Sequence, residues 1–389
     1  MIVREISGYL IKLAKKYPVV TITGPRQSGK TTLAREIFKN KVYINLEAMD
    51  NREFAHSDPR GFLGQIPEGA ILDEIQRVPE LISYIQEIVD EKKKNNMFIL
   101  TGSQQFEFSN SINQSLAGRT ALLKLLPFSI TEVKKNFGFL NVEEILYKGL
   151  YPRIYDQKLD PTQALGDYFE TYVERDLRQL IQIKNLSVFQ KFVKMCAGRV
   201  GQLLNLNNLG SDVGISHTTA KEWLTILEAS YIIFLLKPYH PNIKKRLVKS
   251  PKLYFYDVGL ASYLLGIENR SHAEHHPLKG NLFENLVVTE ILKYRFNKGK
   301  RNNLNFYRDS TGNEIDVIYN IAQNILPIEI KLGETVASEF FKGFKSLENI
   351  MGNLPFGKLI IYGGKREETR GNTKIVNFSK IKEVLDDIS

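Results

Sequence analysis

At 389 residues the chain is too long for one ordinary hydrophobic core, so two or three domains are expected, and 43% hydrophobic with 25% charged residues is a globular composition. A formal charge of +10 and a pI near 9.3 favour an anionic partner, nucleic acid first among them, although plain solubility charge has the same sign. The single cysteine, Cys196, excludes an intrachain disulfide and a cysteine-based zinc site; no signal-peptide pattern follows Met1, and the apolar run 231–236 is far too short to span a bilayer, so a cytoplasmic protein with no membrane partner is expected.

Residues 2–16 space Ile2, Ile6, Tyr9, Leu10 and Leu13 along one helical face. The β-branched run Val19-Val20-Thr21-Ile22 reads as a strand, and Thr32-Leu33-Ala34-Arg35-Glu36-Ile37-Phe38 as a helix. Between them stands Gly24-Pro25-Arg26-Gln27-Ser28-Gly29-Lys30-Thr31, and strand, glycine-rich turn, helix is the context that a phosphate-binding P-loop requires. Gly24 and Gly29 let the backbone curl so that successive N–H groups point inward at an anion, and the helix opening near Lys30 aims its positive end at the same point. Lys30 is expected to reach the β- and γ-phosphates, and the Thr31 hydroxyl to ligate Mg²⁺. Residues Gly24, Pro25, Arg26, Gln27, Ser28, Gly29, Lys30, Thr31 and Thr32 are therefore candidates for binding ATP.

A second strand is expected over 42–46, followed by a polar loop containing Asp58-Pro59-Arg60-Gly61. The segment Gly69-Ala70-Ile71-Leu72-Asp73-Glu74 is an apolar strand ending in two carboxylates, the Walker B pattern. At such a site the first carboxylate holds the Mg²⁺ shell and the second polarises the attacking water, which assigns Asp73 to the metal side and Glu74 as catalytic base. A helix over 80–94 leads to a buried strand over 96–103 that ends in small polar residues. Such a strand is expected between the two motif strands, with Ser103 and Gln104 as γ-phosphate sensors. Leu116-Ala117-Gly118-Arg119 precedes a fifth strand over 121–126.

Gly-Pro-Arg-Gln-Ser-Gly-Lys-Thr-Thr, Ile-Leu-Asp-Glu-Ile-Gln, Leu-Thr-Gly-Ser and Leu-Ala-Gly-Arg, in this order, resemble a large prokaryotic family of AAA-type ATPases. Its members carry a C-terminal domain of unknown function related to restriction endonucleases. The similarity continues through Tyr168-Phe169-Glu170-Thr171-Tyr172-Val173-Glu174-Arg175-Asp176-Leu177 and spans nearly the whole chain. It implies ATP binding and hydrolysis, and it gives Arg119 a role as a finger for a neighbouring subunit's nucleotide in a homo-oligomeric ring, a hexamer being one closed form. Capping of a helix or a surface ion pair is the alternative for Arg119. Arg153 is a lesser candidate for a lid arginine.

Helical patterning over 167–186 is followed by a helix over 205–213, the turn Gly214-Ile215-Ser216, a second helix over 217–229 with Ser216 as N-cap, and strands over 231–236 and 253–256. From Lys237 to Lys252 the charged residues are all basic, Lys244, Lys245, Arg246 and Lys249 among them. This reads as a winged helix with a basic wing. Lys221, Lys244, Lys245, Arg246 and Lys249 are the candidate DNA contacts, to phosphates more than bases, because His217, Thr218, Thr219 and Lys221 are few for base reading. Many winged helices bind protein instead.

Ser271-His272-Ala273-Glu274-His275-His276-Pro277 reads as a solvated hinge in preference to a metal site. Then come a helix over 282–292 containing Glu284, strands over 304–308, 314–319 and 325–331, a helix over 338–347 and a strand over 358–362. Asp316 on the second strand and Glu329-Ile330-Lys331 on the third complete a pattern that resembles the restriction-endonuclease-like core, with Ile315 where that pattern has proline. The resemblance implies that Glu284, Asp316 and Glu329 hold one or two Mg²⁺ and that Lys331 activates water. A Glu-x-Lys strand pair alone is commonly just a surface feature.

The expected whole is an α/β protein: a P-loop AAA-type core with a parallel sheet over 1–135, a helical lid over 136–200, a winged helix over 201–270 and a restriction-endonuclease-like domain over 271–389. Its expected work is ATP-driven DNA remodelling or gated cleavage. The alternative is a nucleotide switch whose C-terminal domain binds DNA or protein without cleaving.

Overall fold

The computed structural model describes residues 2–102, 116–174, 185–239, 249–309, 311–352 and 354–388. Ser103, Gln104, Lys244, Lys245 and Arg246 lie outside the described residues. Two compact units divide the chain: Met1–Phe128 with Ala229–Tyr231 and Arg295–Lys300, and Ser129–Glu228 with Ile232–Tyr294 and Arg301–Ser389.

The first unit runs α1 (Ser7–Ala14), β1 (Val19–Thr23), α2 (Lys30–Ile37), β2 (Val42–Asn45), α3 (Met49–Ser57), α4 (Pro59–Gly64), β3 (Ala70–Asp73), α5 (Leu81–Lys92), β4 (Phe98–Gly102) and β5 (Thr120–Lys124). The strands form a five-stranded parallel sheet of order β2-β3-β4-β1-β5. β4 thus lies between β1 and β3, as expected from the sequence. β1, β3 and β4 are buried along their whole length, which is why they read as unbroken apolar runs rather than alternating ones. Alternate residues feed two cores: Val19, Ala70, Leu72, Phe98 and Leu100 face one, while Val20, Ile22, Ile71 and Ile99 face the other. The loop expected around Asp58 is helical. Asp58 accepts a hydrogen bond from the Gly61 N–H at 2.9 Å and Pro59 takes the first helical position, so the Asp-Pro pair starts α4 instead of breaking the chain.

Two later segments complete this unit, whose first stretch ends at Phe128. The Tyr231 hydroxyl stands 3.1 Å from Thr23 Oγ1, and Lys124 Nζ lies 5.9 Å from the Tyr231 ring centroid and 5.4 Å from that of Phe296.

The second unit begins with α6 (Ile130–Phe137), α7 (Val142–Lys148), α8 (Pro152–Asp156), α9 (Pro161–Tyr168) and a π-helical turn over Phe169–Glu174. α10 (Leu186–Ala197), α11 (Leu206–Val213) and α12 (His217–Ala229) follow, then β6 (Ile233–Pro238), β7 (Lys252–Phe255), α13 (Val258–Leu264) and α14 (Arg270–His275). The chain continues through α15 (Lys279–Asn297), β8 (Leu304–Arg308), β9 (Glu314–Ile321), β10 (Asn324–Lys331), α16 (Lys342–Met351), β11 (Lys358–Tyr362), β12 (Glu368–Arg370), β13 (Thr373–Asn377) and α17 (Ile381–Ile388). Ser216 caps α12 as expected, its Oγ accepting from the Thr219 N–H at 3.0 Å.

The strands of this unit form one mixed eight-stranded sheet, β12-β13-β11-β10-β9-β8-β6-β7. The antiparallel β6–β7 hairpin joins it through parallel pairing of Lys237 with Asn305 and Pro238 with Phe306. The histidine-containing stretch is mostly helical: Asn269 caps α14, and the Nδ1 atoms of His272, His275 and His276 each sit within hydrogen-bond reach of a nearby backbone group.

Candidate functional sites

The loop between β1 and α2 has the geometry of an anion cradle. Gly24, Gln27 and Gly29 have φ of 148°, 59° and 90°. A Cβ at Gly24 would stand 2.1 Å from the Leu125 carbonyl oxygen, so the close approach of this loop to the end of β5 requires glycine. Arg4, which is buried, ties the same two segments together by donating to the Ser28 carbonyl at 2.8 Å and the Leu126 carbonyl at 2.7 Å. Lys30, the first residue of α2, donates to the Gly24 and Pro25 carbonyls at 3.1 and 2.8 Å. Burial lowers its pKa to about 8 against the pull of Glu74 and Asp73, with Arg26 adding to the lowering. Gln27 and Thr32 are exposed, Arg26 is half-buried, and Pro25 and Ser28 are buried.

Asp73 ends β3 and gathers three hydroxyls. Its carboxylate accepts from Thr31 Oγ1 at 2.9 and 3.0 Å, from the Tyr43 hydroxyl at 2.8 Å and from Thr101 Oγ1 of β4. Burial and the bond to Asp73 raise the Tyr43 pKa, and Arg35 stacks its guanidinium 4.6 Å from the Tyr43 ring centroid. Glu74 follows in a left-handed conformation, φ 56° and ψ 44°, uncommon for a residue with a side chain. Burial raises its pKa, Lys30 opposes this, and the Gln76 amide donates to its carboxylate. The Thr31 hydroxyl beside the Asp73 carboxylate is an all-oxygen set, the donor chemistry that a Mg²⁺ ion with phosphate and water ligands takes.

Arg119, just before β5, makes a two-pronged pair with Asp90 of α5, Nε to Oδ1 at 2.5 Å and Nη2 to Oδ2 at 2.7 Å. This is the surface pairing that the sequence left open as its alternative role. Arg153 is exposed on α8 and donates to Gln157. Lys221 on α12 and Lys249 before β7 are exposed, as are His217 and Thr218.

In the second unit, Glu284, Asp316, Glu329 and Lys331 come together. Lys331 Nζ lies 2.7 Å from Glu329 Oε2 and 3.4 Å from Asp316 Oδ2, which also accepts the Ile330 N–H at 2.8 Å. Three further residues complete the group. Lys252 of β7 lies 2.9 Å from Glu284 Oε1 and 3.9 Å from Asp316 Oδ1 and is paired with Glu314; the Tyr254 hydroxyl donates to Glu284 Oε1 at 2.5 Å. Burial raises the Glu284 pKa against Lys252, and burial together with Asp316 holds Glu329 well above the ordinary carboxylate range. Burial works against ionised Asp316 too, but Lys331 and Lys252 hold its pKa low. Among the described residues no three His, Cys, Asp or Glu side chains are placed to hold one metal ion, because ammonium groups stand between these acids.

Residues 16–134 match a family described as AAA domain. This stretch is an AAA-type ATPase-like core. Residues 140–271 and 279–381 match families described as domain of unknown function, DUF8612 and DUF4143. An uncharacterized protein of Mycobacterium tuberculosis is 27% identical over 376 residues, covering 96% of this chain and 82% of that protein. An uncharacterized protein of Haemophilus influenzae is 25% identical over 350 residues, covering 80% of this chain and 82% of that protein. Among solved structures, a Walker-type ATPase of Pyrococcus abyssi is 16% identical with a TM-score of 0.47, covering 68% of this chain and 96% of that one.

Within the AAA domain, sequence reasoning missed Tyr43, Thr101 and Arg4. Tyr43 and Thr101 lie on strands flanking β3, and only the parallel register, which pairs Asn45 with Asp73 and Leu72 with Leu100, brings their hydroxyls to its end. Polar residues near the C-terminal ends of strands adjacent to a Walker B strand were the available signal. Among the described residues, no helix is long and apolar enough to cross a membrane.

Proposed function

We propose that this protein binds and hydrolyses ATP with Mg²⁺ in its AAA domain and uses the cycle to act on DNA. The observation that carries the nucleotide half is the convergence of Thr31 from the P-loop on Asp73, with Glu74 next in the chain. In this reading Lys30 leaves the Gly24 and Pro25 carbonyls for the β- and γ-phosphates, while the loop N–H groups from Gly24 to Thr32, Pro25 having none, hold their oxygens. Thr31 and Asp73 would hold Mg²⁺, which neutralises charge on the phosphates; Tyr43 and Thr101 fix the Asp73 carboxylate by hydrogen bonds. Glu74 takes a proton from the attacking water. Arg119 exchanges Asp90 for the nucleotide of an adjacent subunit in a homo-oligomeric ring; exposed ion pairs contribute little, so the exchange is easy.

For the DNA half, two helices joined by a tight turn and followed by a hairpin support a winged helix, and α15-β8-β9-β10-α16-β11 supports a restriction-endonuclease-like core. Exposed Lys221 and Lys249, with Lys244, Lys245 and Arg246 and the net charge of +10, suit phosphate contacts. Buried Lys252 among the acids favours the second reading of this core, a module that binds DNA without cutting it. The test is ATP turnover with and without DNA. Multiple turnovers accelerated by DNA support the proposal; tight, slow nucleotide occupancy indifferent to DNA rejects it.

A further inference from the structure

A restriction-endonuclease-like core gathers acids around a divalent ion and sets one lysine beside them. Here the acids gather around an ammonium. Lys252 Nζ stands within 4 Å of three carboxylates at once: Glu284 from α15, and Glu314 and Asp316 from one face of β9. A divalent ion of the Mg²⁺ or Ca²⁺ type bonds carboxylate oxygens at about 2.0–2.6 Å and would need these same oxygens. Lys252 is 2% exposed, its neighbour on the same strand face, Tyr254, is fully buried, and the Phe306 ring centroid lies 5.7 Å from Nζ. Solvent therefore offers the ammonium no alternative home, and leaving the acids would strand a buried charge.

On the other side of the cluster the acids are paired as well, by side chains about a third exposed. Glu329 Oε2 is taken by Lys331, and α16 lies so close to Oε1 that a Cβ at Gly343 would come within 2.4 Å of it. Arg308 lies 3.0 Å from the second oxygen of Glu314. Buried Lys252 and the partly exposed Lys331 and Arg308 thus set three positive charges against Glu284, Glu314, Asp316 and Glu329, which leaves at most one unbalanced negative charge to attract a dication.

We propose that Lys252 is the resident counter-cation of this cluster and that the second unit takes no divalent ion there, so that metal-dependent cleavage of a phosphodiester is not open to it. The inference rests on the restriction-endonuclease-like reading for its context only; its test needs no DNA.

Mn²⁺ binding to the nucleotide-free full chain is followed by electron paramagnetic resonance. Wild type and Asp316→Asn are expected to bind Mn²⁺ identically. Lys252→Met and Lys252→Gln are expected to gain one bound ion per chain, lost again when Asp316→Asn is added. A wild-type ion that Asp316→Asn removes overturns the proposal, and that arm needs no Lys252 variant to fold. Lys252 variants with native circular dichroism and no added ion overturn it too. Failure of the chain to bind DNA in a separate titration would instead remove the nuclease-like reading and leave the ion result standing.

Discussion

Lys30 ties nucleotide affinity to pH in a direction that can be worked out in advance. Without nucleotide its ammonium is buried against two carbonyls, and its pKa falls from 10.5 to about 8. A bound triphosphate surrounds it with negative charge and keeps it protonated well above that value. Above pH 8 the free loop must take up a proton before binding, so ATP affinity is expected to weaken about tenfold between pH 7 and pH 9. Stability of the nucleotide-free protein moves the opposite way. The folded pKa lies below the unfolded one, so the cost of the buried ammonium is full below pH 8 and is relieved as pH rises toward 10.5. That relief is about 1.4 kcal/mol between pH 7 and pH 9. Titration with a fluorescent ATP analogue reads the affinity, and urea unfolding of wild type against Lys30→Met reads the stability. Affinity that is flat from pH 7 to pH 9, or a stability slope that Lys30→Met shares with wild type, would refute the account of Lys30.

Glu74→Gln should bind ATP as wild type does and hydrolyse it slower by about a hundredfold or more, the range for loss of a general base; equal turnover rejects Glu74 as the base. Hydrolysis should rise with protein concentration, and mixing Arg119→Ala with Glu74→Gln subunits should recover some activity where an intact Arg119 meets an intact Glu74. Full activity from a strict monomer removes the finger role. Lys221→Ala and Lys249→Ala should each weaken DNA binding alike across sequences and flatten its dependence on log salt by about one. An unchanged slope makes that lysine a solvated surface residue.

The parts of this molecule legible in the sequence are those whose neighbours are fixed by chain continuity. The P-loop lies between its own strand and helix, Asp73 and Glu74 end one strand, and Glu329 and Lys331 share a face at period two. Apolar runs gave β1, β3 and β4, and their complete burial is what erased any alternation. What could not be read is partnership between strands. Pattern tells which face a residue takes, not which strand lies alongside, so nothing before pairing puts Lys237 of the hairpin against Asn305. In sequence Lys252 ends a basic stretch and reads as part of its wing, because its charged neighbours are basic. Its position on β7 at the end of that wing, facing Glu284 from 32 residues later, is a tertiary fact. Asp58-Pro59 is ambiguous in sequence for a different reason: the same dipeptide serves as a turn or as an N-cap with proline at the first helical position.

Two of the buried lysines, Lys30 and Lys252, show how opposite environments give one side chain opposite uses. Lys30 faces carbonyl oxygens, which satisfy its hydrogen bonds without cancelling its charge, and its pKa is driven down. Such a group is poised for an anion, because binding one removes the cost of its burial. Lys252 is also buried, but Tyr254, Glu284, Asp316 and Glu314 surround it and hold its pKa well above the ordinary value. Its charge is already answered, and an incoming ion of either sign would have to break pairs whose ammonium is buried. A buried lysine is therefore not by itself the mark of a working site. The sign and number of the groups around it decide: carbonyls leave the charge of Lys30 open to an anion, whereas carboxylates already answer that of Lys252.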